Sequence, residues 1–234
     1  MPWCSSSRRQ HQISTASVRV GTSDVQPVSV VRNLGVYINS DVTLRAHVTA
    51  AVRACFAALR QIRSVRHCLP RDAVVTLVRA LLLNKVDDCN SVMAGASSTQ
   101  LRRLQSVLNA AARLVCSASK YGSVSGLLRQ LHGLKVPEQI IFRLCVLMYH
   151  CLHEGEPAYL AESVRRSSSR DIRRHTRSND TVPCWYRRRD VPHSAAARAW
   201  NALPARVRSE PSLSIFRCQL KTYLFCVSFA ERSN

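Results

Sequence analysis

The sequence predicts a mostly helical α+β protein, with an N-terminal β-hairpin followed by a helical bundle, a basic linker and two C-terminal helices. Three observations carry that prediction. Apolar residues alternate with polar ones in the first forty positions, and they recur at spacings of three and four from about 41 to 153. Between Arg165 and Arg189 the composition changes to an arginine- and serine-rich run with little periodicity. The implied segments are 1–40, 41–117, 118–164, 165–192 and 193–234.

In the opening segment Val18, Val20, Val28, Val30, Leu34, Val36 and Ile38 alternate, broken by Gly21-Thr-Ser-Asp and by Gly35, which predicts a short antiparallel hairpin or meander. Gly35 has two readings. It is a glycine bulge in a packed strand, or it removes a side chain where another backbone or a sugar-phosphate approaches closely.

A helix capped by Asp41 or Thr43 follows, with Val48, Val52, Cys55, Leu59 and Ile62 as its apolar stripe. At about 100° per residue, Arg45, Arg53, Arg60 and Arg63 fall within a sector of about 80° on another face. That face is either merely solvated or directed at phosphates. The next helix starts after Pro70, carries Asp72 in its first turn and runs to about Ala94, with Gly95 as stop. Its middle, VVTLVRALLL, is apolar on nearly every side and predicts the core helix.

Ser97 or Ser98 caps a third helix with Leu101, Leu104, Leu108, Ala111 and Val115 in one seam, and Ala110 to Ala112 let a neighbour approach. A shorter helix at about 124–132 and another from Pro137 to about His153 offer Leu127, Leu131, Ile141, Leu144, Leu147 and Met148 for burial. Arg165–Arg189 reads as a loop or linker. Ala195–Leu203, ended by Pro204, and Ser212–Phe229, with Leu213, Phe216, Leu220 and Phe225, close the chain.

At 234 residues and 46% hydrophobic, the chain can bury a sizeable core. Lys and Arg number 34 against 14 Asp and Glu, and only Lys85, Lys120, Lys135 and Lys221 are lysines. An arginine-dominated excess favours a polyanionic partner, because the guanidinium pairs bidentately with phosphate and stacks on bases. The 10 cysteines are scattered singly without a CxxC pair, and MPWCSSSRRQHQ lacks the apolar core of a leader. Both features point to a reducing intracellular compartment, nuclear or cytoplasmic. The longest apolar stretches, Ala73–Leu83 and Ile140–Leu152, are interrupted by Arg79 and Arg143, and each falls short of the ~20 residues that span a bilayer, so no membrane segment is expected.

Five strings occur in fixed order: NLGVYI at 33–38, DCNSVMAG at 88–95, LQSVLNAAARLV at 104–115, LRQLHGLKVPEQIIFRL at 128–144, and AWNALPARVRSEPSLSIFRCQLKTYLF at 199–225. Together they resemble the region that follows the catalytic palm in reverse transcriptases of LINE-type (non-LTR) retrotransposons, over roughly Trp3 to Phe229. The resemblance implies that Asn33-Leu34-Gly35-Val36 stands at the end of the palm, where a Leu-Gly strand positions the primer. It implies that 41–117 takes the place of the thumb, with Arg45, Arg53, Arg60, Arg63 and Arg66 along phosphates, and that the region beyond about 120 forms a further helical layer. Implied partners are RNA, an RNA–DNA hybrid or single-stranded DNA, together with the palm or another retroelement protein. The chain is expected to lack the polymerase carboxylates, so Mg2+ belongs only to an intact parent enzyme and no cofactor of its own is expected. Two departures stand out. Asp88 replaces a tyrosine and Gly133 a tryptophan usual in the family, changes that remove aromatic packing, as in a decaying copy.

Several patterns lead elsewhere. Asp87-Asp88 lies late in a helix, where adjacent residues point ~100° apart and do not jointly chelate a metal. Cys145 and His153 stand about 12 Å apart along one helix, too far for a zinc site that includes Cys151 and His150. In the basic run, Arg173, Arg174, Arg187 and Arg188 suit phosphates and Trp185 suits base stacking; a basic linker or a nuclear-import signal fits the same run. A helical protein-interaction module and an inert remnant are the rival readings.

Overall fold

The computed structural model describes residues 16–41, 43–87, 92–119, 121–155, 157–159, 161 and 192–230. It is mostly helical behind an N-terminal β region, as the periodicities predict.

Two separate antiparallel hairpins open the chain. β1 (Val18–Val20) pairs with β2 (Ser23–Val25), and β3 (Val30–Asn33) pairs with β4 (Val36–Asn39). Both close over two residues, since Val20 faces Ser23 and Asn33 faces Val36. The first loop has Gly21 at φ 63°, as a type II′ turn needs. The second has Leu34 at φ 47° and Gly35 at φ 84°, the two positive values of a type I′ turn. Gly35 is therefore a turn residue and not part of a strand, a correction to the sequence expectation. A Cβ added there would meet nothing within 4 Å, so no packed bulge exists.

α1 (Arg45–Val65) buries Val48, Cys55, Ala58, Leu59 and Ile62. Neither expected residue caps it. Asn39 Oδ1 reaches from the end of β4 to accept the Ala46 amide at 3.0 Å, while Asp41 accepts the Thr43 amide and hydroxyl at 3.0 and 2.6 Å and shapes the preceding turn.

The expected helix 71–94 is instead α2 (Arg71–Val78), a π turn (Arg79–Leu83) and α3 (Asn84–Asp87), with a 3-10 turn at Val92–Gly95. It is not buried on every side: Val74, Val78, Leu82, Val86 and Met93 are buried here, while Thr76, Arg79, Ala80 and Leu81 are exposed. A strict four-residue spacing drifts by 40° per step on an α-helix, and the wider π turn takes that drift back.

The central helix is α4 (Ser98–Val115). Ser97 and Gln100 form a capping box at its start, and Leu104, Val107, Leu108, Ala111, Ala112, Leu114 and Val115 are buried along it. α5 (Val124–Gln130) buries Leu128 where Leu127 was expected. α6 (Val136–Tyr149) runs into a second π turn (His150–Glu154). α7 (Pro192–Asn201), a single turn α8 (Ala205–Arg208) and α9 (Leu213–Phe229) complete the fold.

Two apolar cores share α1 and α4. The larger joins Val48, Leu104 and Leu108 to α6, α7 and α9, with Tyr149, Trp200 and Phe216 at its centre; the other joins Cys55, Leu59, Val107 and Leu114 to α2 and α3. Phe216 stacks on Tyr149 at 4.6 Å between ring centres and meets Trp200 at 5.6 Å. The C-terminal carbonyls of α9 are held by cations: Lys135 Nζ donates to Ser228 O at 2.5 Å and Arg129 Nη2 to Phe229 O at 3.0 Å. Among the described residues no helix is long and apolar enough to cross a membrane.

Candidate nucleic-acid interface

α1 and α4 lie side by side and run parallel. Near their N-terminal ends Arg103 Nη1 donates to Thr49 Oγ1 at 3.1 Å; at the other ends Arg66 Nε donates to Leu114 O at 2.8 Å and Arg66 Nη2 reaches Ser117 Oγ. Small residues permit this approach, Ala58 on α1 and Ala111 and Ala112 on α4 all being buried.

The outer side of this pair is basic, and at its N-terminal end the Asp41 carboxyl, held low chiefly by its hydrogen bonds from Thr43, lies close enough to Arg45 for the guanidinium to help lower it. Arg45, Arg53, Arg60 and Arg63 are all exposed on α1. Over 18 residues they extend about 27 Å, the rise of roughly eight phosphate steps on one strand. Thr49 falls inside the same sector, so Arg103 from α4 joins the stripe through it. No Asp or Glu occurs from 42 to 71 or from 89 to 137, which leaves α1, α4 and α5 without a carboxylate. The described ion pairs Arg143–Asp87 and His150–Glu154 lie elsewhere.

Arg66 leaves the stripe. It sits in the 3-10 turn Arg66–Cys68 after α1, and its guanidinium closes the end of α4, where helix carbonyls lack intrahelical donors. It also lines an open cleft of about 480 Å3 with His67, Arg71, Ser117 and Gln130, at the end of the α1 stripe. Gly35 is distant in kind from these cations: it stands at a hairpin tip beside Leu34, which is 97% exposed. Arg173, Arg174, Trp185, Arg187 and Arg188 lie outside the described residues.

The carboxylates and thiols have local roles. Asp87 on α3 pairs with Arg143 at 3.0 Å, and Asp88 lies outside the described residues. Cys145 is fully buried, and burial pushes its thiol up to about 12; burial raises Cys151 as well. His150 Nδ1 pairs with Glu154 at 2.5 Å, and His153 stacks on Tyr149 at 4.2 Å. Among the described residues no group of three or more His, Cys, Asp or Glu side chains is placed to hold a metal ion.

Sequence reasoning missed Arg103, His67 and Arg71. None lies on the α1 stripe, and only the packing of α4 on α1 and the turn between α1 and α2 bring them to it. The two acid-free stretches were the available signal. Comparison with protein-family models, with curated proteins and with solved structures gives no match.

Proposed function

We propose that this chain is the non-catalytic, nucleic-acid-gripping part of an RNA-directed DNA polymerase of the LINE type, in which α1 and α4 act as a thumb. The observation that carries the reading is the arginine stripe Arg53, Arg60, Arg63 and Arg103, with Arg45 beside Asp41 at one end, across two parallel helices that themselves carry no carboxylate. Exposed guanidiniums at this spacing neutralise phosphates and fix a duplex in place without reading its bases. The resemblance of the five ordered strings to that family supports the choice of RNA–DNA hybrid or single strand over other polyanions. No chemical step is assigned to the chain itself, and on this reading Mg2+ would belong to an intact parent polymerase. The test is anisotropy binding to a labelled RNA–DNA hybrid together with nucleotide addition on the same primed template. Binding without incorporation is expected; incorporation by the purified chain would overturn the reading.

A second reading rests on the hairpins. Val18, Val20, Val25 and Val31 are each about half exposed or more, at 54%, 59%, 51% and 49%, and Leu34 fully so. This apolar surface suits a protein partner, a palm domain in the family proposed, more than nucleic acid. Replacing Val18, Val20, Val25 and Val31 by threonine while leaving both hairpins in place should keep hybrid binding but lose association with a palm domain supplied in trans, which would divide the two roles. Equal loss of both would contradict the division.

A further inference from the structure

We infer that the cleft around Gly133 takes a single pyrimidine nucleotide, its ring in an apolar slot and its phosphate on α9. Two cavities meet there. The inner one, about 120 Å3, is walled by Val78, Leu108, Ala111, Leu128 and Leu131. The outer one, about 480 Å3, is lined by Arg143, Arg217, Lys221, His132 and Asp87. Gly133, Leu134, Leu83 and Gln139 border both, so the slot opens directly into the charged vestibule.

Size, charge and hydrogen bonding select the occupant together. Leu- and Ile-lined cavities of about 150 Å3 admit a benzene ring, so a slot of about 120 Å3 suits one six-membered ring better than the two fused rings of a purine. Gly133 borders it without a side chain; a Cβ there would stand 3.7 Å from the Leu128 side chain and carbonyl, in ordinary contact, and a side chain as large as leucine would reach into the space. Gln139 Nε2 donates to Leu134 O at 3.0 Å, while its Oε1 is buried without a hydrogen-bond partner. On a turn of the Gln139 side chain, an N–H on the ring edge, as in uracil or cytosine, would meet that acceptor, whereas a plain hydrocarbon would leave it unmet. At the mouth Asp87 is already paired with Arg143, and Arg217 and Lys221, one turn apart and both exposed on α9, remain for a phosphate.

This site rests on the nucleic-acid reading for its biological ligand but not for its chemistry, and the test separates the two. Uridine monophosphate, adenosine monophosphate, uridine and inorganic phosphate are titrated calorimetrically into the full chain and into three variants. Uridine monophosphate is expected to bind at least roughly tenfold more tightly than adenosine monophosphate or phosphate alone. Gly133→Leu should abolish that preference. Arg217→Ala with Lys221→Ala should bring uridine monophosphate down to the level of uridine. The double variant alters only exposed side chains, so it remains decisive if Gly133→Leu disturbs folding. Arg53→Ala with Arg60→Ala should weaken hybrid binding and leave the mononucleotide unaffected. Equal affinity for the two monophosphates, or indifference to both the slot and the α9 variants, would overturn the inference whether or not the hybrid binds. Mononucleotide binding without hybrid binding would uphold the slot and defeat the thumb reading.

Discussion

Arg103 on α4 donates to the hydroxyl of Thr49 on α1 at 3.1 Å, and this bond sets a fifth guanidinium among the four that α1 presents on its own. Thr49 in turn donates to Arg45 O at 2.8 Å, so its lone pairs face outward to Arg103. Arg103→Ala is therefore expected to weaken hybrid binding about as much as Arg53→Ala, by a few fold, with thermal stability nearly unchanged because the bond is partly solvated. Arg66→Ala should behave differently. Its side chain ties the end of α1 to the end of α4, so its loss is expected to cost about 1 kcal/mol of stability by denaturant titration.

Leu34 occupies the first central position of a type I′ turn with φ 47° and touches almost nothing. Leucine is poorly suited to that backbone, and Asn-Gly is the favoured pair. Leu34→Asn should stabilise the second hairpin by about 1 kcal/mol, read as slower amide exchange at Val31 and Ile38, which face each other across it. Unchanged exchange would argue against the turn assignment.

Phe216 joins three helices through Tyr149 and Trp200 and is wholly buried. Phe216→Ala should cost about 3–5 kcal/mol and free α9 first, since its carbonyl cap by Lys135 and Arg129 depends on the same docking. Tryptophan fluorescence from Trp200 would report the release.

Cys145 gives a pH signature. Its folded thiol is raised to about 12, above the ~8.5 of an unfolded cysteine, so the protonated folded form is favoured. That contribution is fully present below the unfolded value and is lost as pH rises towards the folded one. Stability should fall by up to about 1.4 kcal/mol per pH unit from this group above pH ~8.5, and Cys145→Ala should flatten the decline. Buried Cys55 and Cys151, whose thiols burial also raises, act in the same direction. At pH 8 a thiol reagent should label exposed Cys68, Cys218 and Cys226 well before these three.

Much of the fold was legible because local signals agree with tertiary packing. The α1 stripe, a serine cap at Ser97 or Ser98 and the seam of α4 are written at spacings that survive in any context. What failed depended on neighbours. VVTLVRALLL is apolar enough for the centre, yet α4 holds that place because its alanines let α1 and α2 come close. The π turn at Arg79–Leu83 has no mark in propensity; it follows from keeping Val74, Val78, Leu82 and Val86 on one line. Of the interface, the α1 arginines were readable from periodicity. Arg103 was not, because its place is fixed by a contact 54 residues away in sequence.

The most direct test of the thumb reading is the salt dependence of hybrid binding for the native chain and for the triple variant Arg53→Ala, Arg60→Ala, Arg103→Ala. If these side chains meet phosphates, log affinity falls linearly with log salt and the slope of the variant is shallower by about 0.9 for each contact removed. A native slope near zero, or a slope the three substitutions leave unchanged, would contradict the account.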